Sequence, residues 1–282
     1  MEIILAENCG FCFGVEKAIE KVEKVLEEHK GSKIYSVGPI IHNPQVVSKL
    51  EEKGLKIVDG VEDIDEGILV IRSHGLPPVE IEKAVNKNLE IVDATCPFVK
   101  NAQNICCLLK KEKYKIVIIG EKEHPEVKSL VGFAGENTVV VKAEENIEEL
   151  PKSGKVGFLS QTTQPLKSVV AVIENLNWSK YSEVRVFDTI CDATSKRQES
   201  ALKIAKAVNL MIVIGGYNSS NTKKLAQICL DSGVETVHIE DKKDIKNEWF
   251  KGKKKIGITA GASTPRWIIE DVISELRLHL AI

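Results

Sequence analysis

Seven cysteines are spread over 282 residues. They are too sparse, and odd in number, for a disulfide framework, so thiols placed as metal ligands or catalysts are the chemistry to look for. Three of them stand in matching contexts. Glu7-Asn8-Cys9-Gly10-Phe11-Cys12, Asp93-Ala94-Thr95-Cys96 and Asp188-Thr189-Ile190-Cys191 each follow an apolar run and open a helical pattern. Aligning Cys12-Phe13-Gly14-Val15 with Cys96-Pro97-Phe98-Val99 makes Cys12, rather than Cys9, the member of this series, with steps of 84 and 95 residues. A helix N-terminus beside each sulfur favours the thiolate. Three thiolates from separate segments suit an iron–sulfur cube whose fourth iron stays open, and a zinc held by three cysteines and a water is the competing metal. Cys9-x-x-Cys12 also has redox or zinc spacing, but no second such pair completes four ligands. Cys106, Cys107 and Cys229 fall inside helical patterns and read as small buried apolar side chains.

Three of the six histidines occupy strand-end loops: His42 in Gly38-Pro39-Ile40-Ile41-His42, His74 in Ser73-His74-Gly75, and His124 in Gly120-Glu121-Lys122-Glu123-His124. Where a third glycine-led segment, Gly215-Gly216-Tyr217-Asn218-Ser219, lacks histidine, Ser219, Ser220 and Asn221 follow, and Ala260-Gly261-Ala262-Ser263 supplies Ser263. Histidine, serine and asparagine with helix N-terminal N–H groups bind a phosphate or diphosphate without a lysine cluster. The plainer alternative for Ser219–Asn221 is a helix cap. His124-Pro125-Glu126 sets a carboxylate close to that anion site, where desolvation would let it hold and deliver protons. The plainer alternative is a first-turn glutamate on the helix dipole. Gln161-Thr162-Thr163 adds hydroxyls able to hold or relay a proton. His29, His238 and His279 read as surface residues, and Lys251-Gly252-Lys253-Lys254-Lys255 as a solvated turn.

The elements that must present these groups are short Val/Ile-rich strands such as Lys115–Ile119, Val156–Leu159 and Lys255–Thr259, each followed by a turn and an amphipathic helix. That alternation predicts α/β architecture with mainly parallel sheets. No Gly-x-Gly-x-x-Gly follows a strand and no Walker-type loop is present, so the usual nucleotide-binding fold lacks its signature. Instead the cysteine segments recur in order with the glycine-led segments, stepped by 82 and 95 residues, and with segments ending in proline at Pro77, Pro165 and Pro265. An ordered triple recurrence predicts three small α/β modules, 13–96, 97–190 and 191–282, with an N-terminal strand 1–12 joined to the third. Each is small for its own core, so a trefoil about a pseudo-threefold axis is expected, with strand C-terminal ends converging on a central iron–sulfur site.

Lys plus Arg less Asp plus Glu is 39 − 41 = −2, mixed along the whole chain, which excludes the basic stripe of a nucleic-acid protein. A hydrophobic content of 43% with 28% charged residues excludes a disordered chain. Apolar runs such as Leu210 to Ile214 fall far short of the roughly 20 residues of a membrane helix, and the N-terminus lacks a basic start. A cytoplasmic protein that does not bind membranes is expected.

Taken in order, Gly10-Phe11-Cys12-Phe13-Gly14-Val15, Val37-Gly38-Pro39-Ile40-Ile41-His42-Asn43, Arg72-Ser73-His74-Gly75 and Asp93-Ala94-Thr95-Cys96-Pro97 form one half of a pattern. Gly120-Glu121-Lys122-Glu123-His124-Pro125-Glu126, Ser160-Gln161-Thr162-Thr163, Asp188-Thr189-Ile190-Cys191, Ser219-Ser220-Asn221 and Ala260-Gly261-Ala262-Ser263 complete it. The ordered set resembles the 4-hydroxy-3-methylbut-2-enyl diphosphate reductases, the LytB/IspH family, over essentially the whole chain. The resemblance implies a [4Fe–4S] cluster on Cys12, Cys96 and Cys191, found as [3Fe–4S] once the open iron is lost. It implies that His42, His74, His124, Ser219, Ser220, Asn221 and Ser263 surround the substrate diphosphate, that Glu126 is the proton donor, and that Thr162 and Gln161 lie by the substrate hydroxyl. Asp192 departs from the aromatic residue common after the third cysteine. Removal of an allylic hydroxyl needs a Lewis acid, a proton and two electrons, with ferredoxin or flavodoxin the implied donor to a monomer or weak homodimer. Protonation at either allylic end would give isopentenyl or dimethylallyl diphosphate. The rivals are an iron–sulfur hydro-lyase or quinolinate-synthase-like enzyme, which needs no reductant, and a non-catalytic redox sensor, which binds no allylic diphosphate.

Overall fold

The computed structural model describes residues 2–142 and 147–280. Strand β1 (Glu2–Leu5) leads to α1 (Phe13–Glu28), β2 (Ile34–Val37), α2 (Pro44–Glu52), β3 (Leu55–Val58), β4 (Ile68–Ile71), α3 (Pro78–Asn86) and β5 (Glu90–Asp93). Next come α4 (Pro97–Lys111), β6 (Lys115–Ile119), α5 (Pro125–Ala134), β7 (Thr138–Val141), β8 (Gly154–Ser160), α6 (Leu166–Glu174) and β9 (Tyr181–Val186). The remainder is α7 (Asp192–Ala205), β10 (Leu210–Ile214), α8 (Ser220–Asp231), β11 (Thr236–Ile239), β12 (Lys255–Ala260) and α9 (Arg266–Leu280). Among the described residues no helix is long and apolar enough to cross a membrane.

The chain forms two compact units: Met1–Val15 with His42–Val46 and Asp192–Ile282, and Glu16–Ile41 with Val47–Cys191. The first unit holds one four-stranded sheet in the order β1-β12-β10-β11, and the second holds two, β3-β2-β4-β5 and β7-β6-β8-β9. Every pairing is parallel. The three sheets share one strand order, with β1 on the edge position that β5 and β9 hold. The expected parallel α/β architecture is therefore present three times over.

Period-two alternation explains why helices cover both faces. In β10, Leu210, Ile212 and Ile214 pack with Ile268, Ile269, Val272 and Leu276 of α9. Met211 and Val213 turn the other way, onto Ala201 and Ala205 of α7 and Leu225 and Cys229 of α8. The central β6 does the same. Ile116 and Ile118 meet Ala102, Cys106, Leu109, Val127 and Leu130 of α4 and α5, whereas Val117 and Ile119 meet Val172 of α6. Each aliphatic side chain so buried contributes about 1.5–3 kcal/mol, which fixes the strand register and with it the position of every loop at the C-terminal strand ends.

Candidate functional site

Three sets of hydrogen bonds recur at those strand ends, each within a unit. The glycines after β2, β6 and β10 donate to the last residue of the neighbouring strand: Gly38 N to Val58 O at 2.9 Å, Gly120 N to Val141 O at 2.9 Å, Gly215 N to Ile239 O at 2.8 Å. The loops after β4, β8 and β12 close as turns, Gly75 N to Arg72 O at 2.9 Å, Gln164 N to Gln161 O at 3.0 Å and Thr264 N to Gly261 O at 3.0 Å. The second residue of each turn then accepts a cysteine amide. Cys96 N donates to Ser73 O at 3.0 Å, Cys191 N to Thr162 O at 3.0 Å, and Cys12 N to Ala262 O at 3.2 Å. Each cysteine backbone is thus anchored before any ligand arrives. The same alignment makes His74, Thr163 and Ser263 equivalent turn positions, so Thr163 joins the other two.

None of the three cysteines is held in a disulfide. Cys96 is the N-cap of α4, with Pro97 at the first helical position, and Cys12 and Cys191 immediately precede α1 and α7. Each offers a soft sulfur donor at the start of a helix, the donor type that an iron–sulfur group takes. The other thiols differ. Burial pushes Cys106 and Cys229 up to about 12, as expected of inert core residues. Cys107 corrects the sequence expectation, because it is exposed: adjacent helical residues point about 100° apart, so only one of the two can face the core. Cys9 is half-buried, and burial raises its thiol while Arg197 draws it back.

In the second unit, Glu126 is 2% exposed in the first turn of α5. Its Oε1 accepts from Thr162 N at 2.6 Å and its Oε2 from Thr162 Oγ1 at 2.9 Å. This is a tertiary contact, not merely a first-turn carboxylate on a dipole. His124 is the N-cap of the same helix, its Nδ1 accepting from Glu126 N at 3.2 Å. That acceptor role assigns the neutral ring's proton to Nε2, a tautomer that donates to anions. His74 meets the His124 ring edge-on, centroids 5.4 Å apart. Gln161 is buried with its amide engaged inside the chain: Oε1 accepts from Glu121 N at 3.1 Å and Gln164 Nε2 at 3.3 Å, and Nε2 donates to Thr163 Oγ1 at 3.0 Å. It ties the glycine-led loop to the Thr162 turn.

The His74 turn has its own buried support, which sequence inspection misses. Gln103 Nε2 donates to Ser129 Oγ at 2.9 Å, and Ser129 Oγ donates to Leu76 O at 3.2 Å. Gly75 has φ +77, and a Cβ there would come within 2.4 Å of Gln103 Nε2.

In the first unit, Ser263 Oγ donates to His42 O at 3.1 Å. Ser219 is the N-cap of α8, accepting from Thr222 N at 3.3 Å, so the capping role is real for Ser219. Ser220 and Asn221 are buried in the first turn, and Asn221 Nδ2 is a buried donor with no partner among the described residues. A buried donor at a helix N-terminus is what an anionic ligand would satisfy. The loop before α8 is held from β11 and the residue after it: His238 Nε2 is 2.8 Å from Gly215 O, and Tyr217 N donates to Glu240 Oε1 at 2.6 Å. His238 is therefore no surface histidine. It is half-buried in the strand, and desolvation holds its pKa below the ordinary histidine value.

Comparison with known proteins places these features in a family. Residues 3–277 match the family model described as LytB protein. A protein of Geobacter metallireducens named 4-hydroxy-3-methylbut-2-enyl diphosphate reductase is 48% identical over 278 residues, covering 98% of this chain and 97% of the relative. A solved structure titled (E)-4-hydroxy-3-methyl-but-2-enyl diphosphate reductase, the terminal enzyme of the non-mevalonate pathway, is 43% identical with a TM-score of 0.71, covering 99% of this chain and all of the other. The corresponding reductase structure from Plasmodium falciparum is 31% identical with a TM-score of 0.91, covering 98% of this chain and 87% of that one. The chain belongs to the LytB protein family.

Proposed function

We propose that this chain is an oxidoreductase that converts 4-hydroxy-3-methylbut-2-enyl diphosphate into isopentenyl and dimethylallyl diphosphates, taking up two electrons and two protons and releasing water. Family membership names the substrate. The observation that carries the chemistry is the buried Glu126 carboxylate, held by both donors of Thr162, whose own carbonyl holds the Cys191 amide. An acid and a soft metal ligand thereby share one residue.

Cys12, Cys96 and Cys191 would hold a [4Fe–4S] cluster, reading as [3Fe–4S] if the iron without a cysteine is lost. Bound there, the cluster supplies electrons one at a time and a Lewis-acidic iron at its open corner. The remaining work falls to the chain. His42, His74, His124, Ser219, Ser220, Asn221 and Ser263 would bind the diphosphate through neutral donors and helix N-termini. Fixing the diphosphate orients the carbon chain, an effect worth several kcal/mol in favourable cases. As a carboxylate, Glu126 accepts from Thr162 Oγ1; once protonated, it donates to that oxygen, and the hydroxyl can pass its own proton onward. Gln161 holds the turn that carries Thr162. Ferredoxin or flavodoxin fits as the electron donor, because the cluster takes single electrons. A monomer or weak homodimer in the cytoplasm completes the proposal.

Anaerobic incubation of the chain with the hydroxylated allylic diphosphate and a low-potential chemical reductant tests it. Both five-carbon diphosphates should form, and only with reductant present. Turnover without reductant would favour a hydro-lyase; binding of the cluster but not of the allylic diphosphate would favour a redox sensor.

A further inference from the structure

We infer that Arg197 is a positioning residue of the cysteine-held group: it clamps the loop that carries Cys12 and raises the reduction potential of the cluster bound there. This rests on the iron–sulfur proposal above. Arg197 lies in α7, the helix that Cys191 opens, and is only 4% exposed. Its Nη1 donates to Ala193 O at 2.9 Å, and its Nη2 donates to Gly10 O at 2.7 Å. One planar fork therefore ties the carbonyl two residues after Cys191 to the carbonyl two residues before Cys12. The two bonded sites lie 187 residues apart along the chain for the Gly10 contact, so the link exists only in the folded protein.

The charge reaches the loop as well as the hydrogen bond. Burial raises the Cys9 thiol, and the Arg197 charge is the influence that lowers it. Nearby Lys196 and Asp192 act differently: they form an exposed pair at 3.9 Å, which solvent and salt screen. A guanidinium stays protonated at any working pH and, when buried, interacts through a low effective dielectric. Reduction adds negative charge to a thiolate-held cluster. A fixed neighbouring cation stabilises the reduced form more than the oxidised one, so it raises the potential, one of the protein's levers on such centres. Neither an exposed lysine nor a neutral hydrogen-bonding residue would do both tasks.

The test is a redox titration of anaerobically prepared protein followed by EPR, with iron and sulfide content measured alongside. In R197Q, which keeps bulk but removes charge, the ratio of reduced to oxidised cluster at a fixed poise should fall about tenfold, which is 59 mV for one electron. R197K keeps the charge but cannot bridge both carbonyls. It should hold a ratio close to wild type while backbone amides of the Gly10–Cys12 loop exchange faster with deuterium. R197Q carrying a full cluster at the wild-type ratio overturns the inference. If R197Q assembles no cluster, R197K decides: a wild-type ratio with faster loop exchange supports the assignment, and a tenfold fall despite the intact charge contradicts it. Wild-type protein without iron and sulfide would instead remove the iron–sulfur proposal itself, and this inference with it.

Discussion

Thr162 alone separates Glu126 from Cys191: its N–H donates to the Glu126 carboxylate at 2.6 Å, and its carbonyl accepts from the Cys191 amide at 3.0 Å. A shift of the β8 strand end would move acid and thiol together. The proposed proton donor and the proposed metal ligand are thus positioned by the same turn.

Glu126→Gln is predicted to keep the fold, because the amide oxygen can still accept from Thr162 N and the amide nitrogen can donate to Thr162 Oγ1. Loss of the ionisable proton should lower kcat by about 10²- to 10⁴-fold with little change in iron content. Thr162→Val keeps the N–H contact and loses only the hydroxyl, so its kcat should fall less. Steady-state kinetics beside a thermal unfolding curve checks both. Wild-type turnover in Glu126→Gln would take this residue out of the mechanism.

Gly75→Ala should be costly for two reasons that can be separated. The φ of +77 is unfavourable for any residue with a Cβ, and that atom would lie 2.4 Å from Gln103 Nε2 and 2.8 Å from Ser129 Oγ. About 1–2 kcal/mol is expected from the dihedral alone, and roughly 1–3 kcal/mol more from overpacking. Gly31→Ala is the control, since φ is +90 there but nothing lies within 4 Å of its Cβ. Urea unfolding should show Gly75→Ala clearly the less stable of the two, and equal losses would mean that the Gln103–Ser129 contact yields freely.

Thiol reactivity should follow burial. A thiol whose pKa is pushed up to about 12, as at Cys106 and Cys229, is neutral at pH 8, with a thiolate fraction on the order of 10⁻⁴. Raising the pH toward that value is what would ionise it. Iodoacetamide at pH 8 should therefore mark the exposed Cys107 and leave its neighbour and Cys229 unmodified. Peptide mass spectrometry reads the outcome. Labelling of Cys106 at the rate of Cys107 would mean that α4 opens locally.

The strands and cysteine-bearing turns were legible because they depend on local signals. The run Lys115–Ile119 is β6 as its apolar pattern predicts, and proline marks helix starts at Pro97 and Pro125. The cysteine series was readable because each member follows an edge strand and precedes a helix. Residues whose roles arise only from tertiary packing left no such mark. Gln103 and Ser129 sit inside α4 and α5, where nothing local separates a buried amide or hydroxyl from a solvated one. Arg197 lies in the polar run Lys196-Arg197-Gln198-Glu199, where nothing local marks it, yet it is buried and donates to the Gly10 carbonyl. Thr163 needed the three turns to be overlaid by their hydrogen bonds, since the proline spacing alone aligns the segments differently.

The most direct test of the central claim is iron and acid-labile sulfide analysis, with Mössbauer spectra, of anaerobically purified wild-type protein and single Cys→Ser variants. The wild type should carry one [4Fe–4S] cluster per chain. Cys12→Ser, Cys96→Ser and Cys191→Ser should each lose it, while Cys106→Ser and Cys229→Ser keep it. A full cluster surviving in any of the first three, or zinc in place of iron and sulfide, would contradict the account.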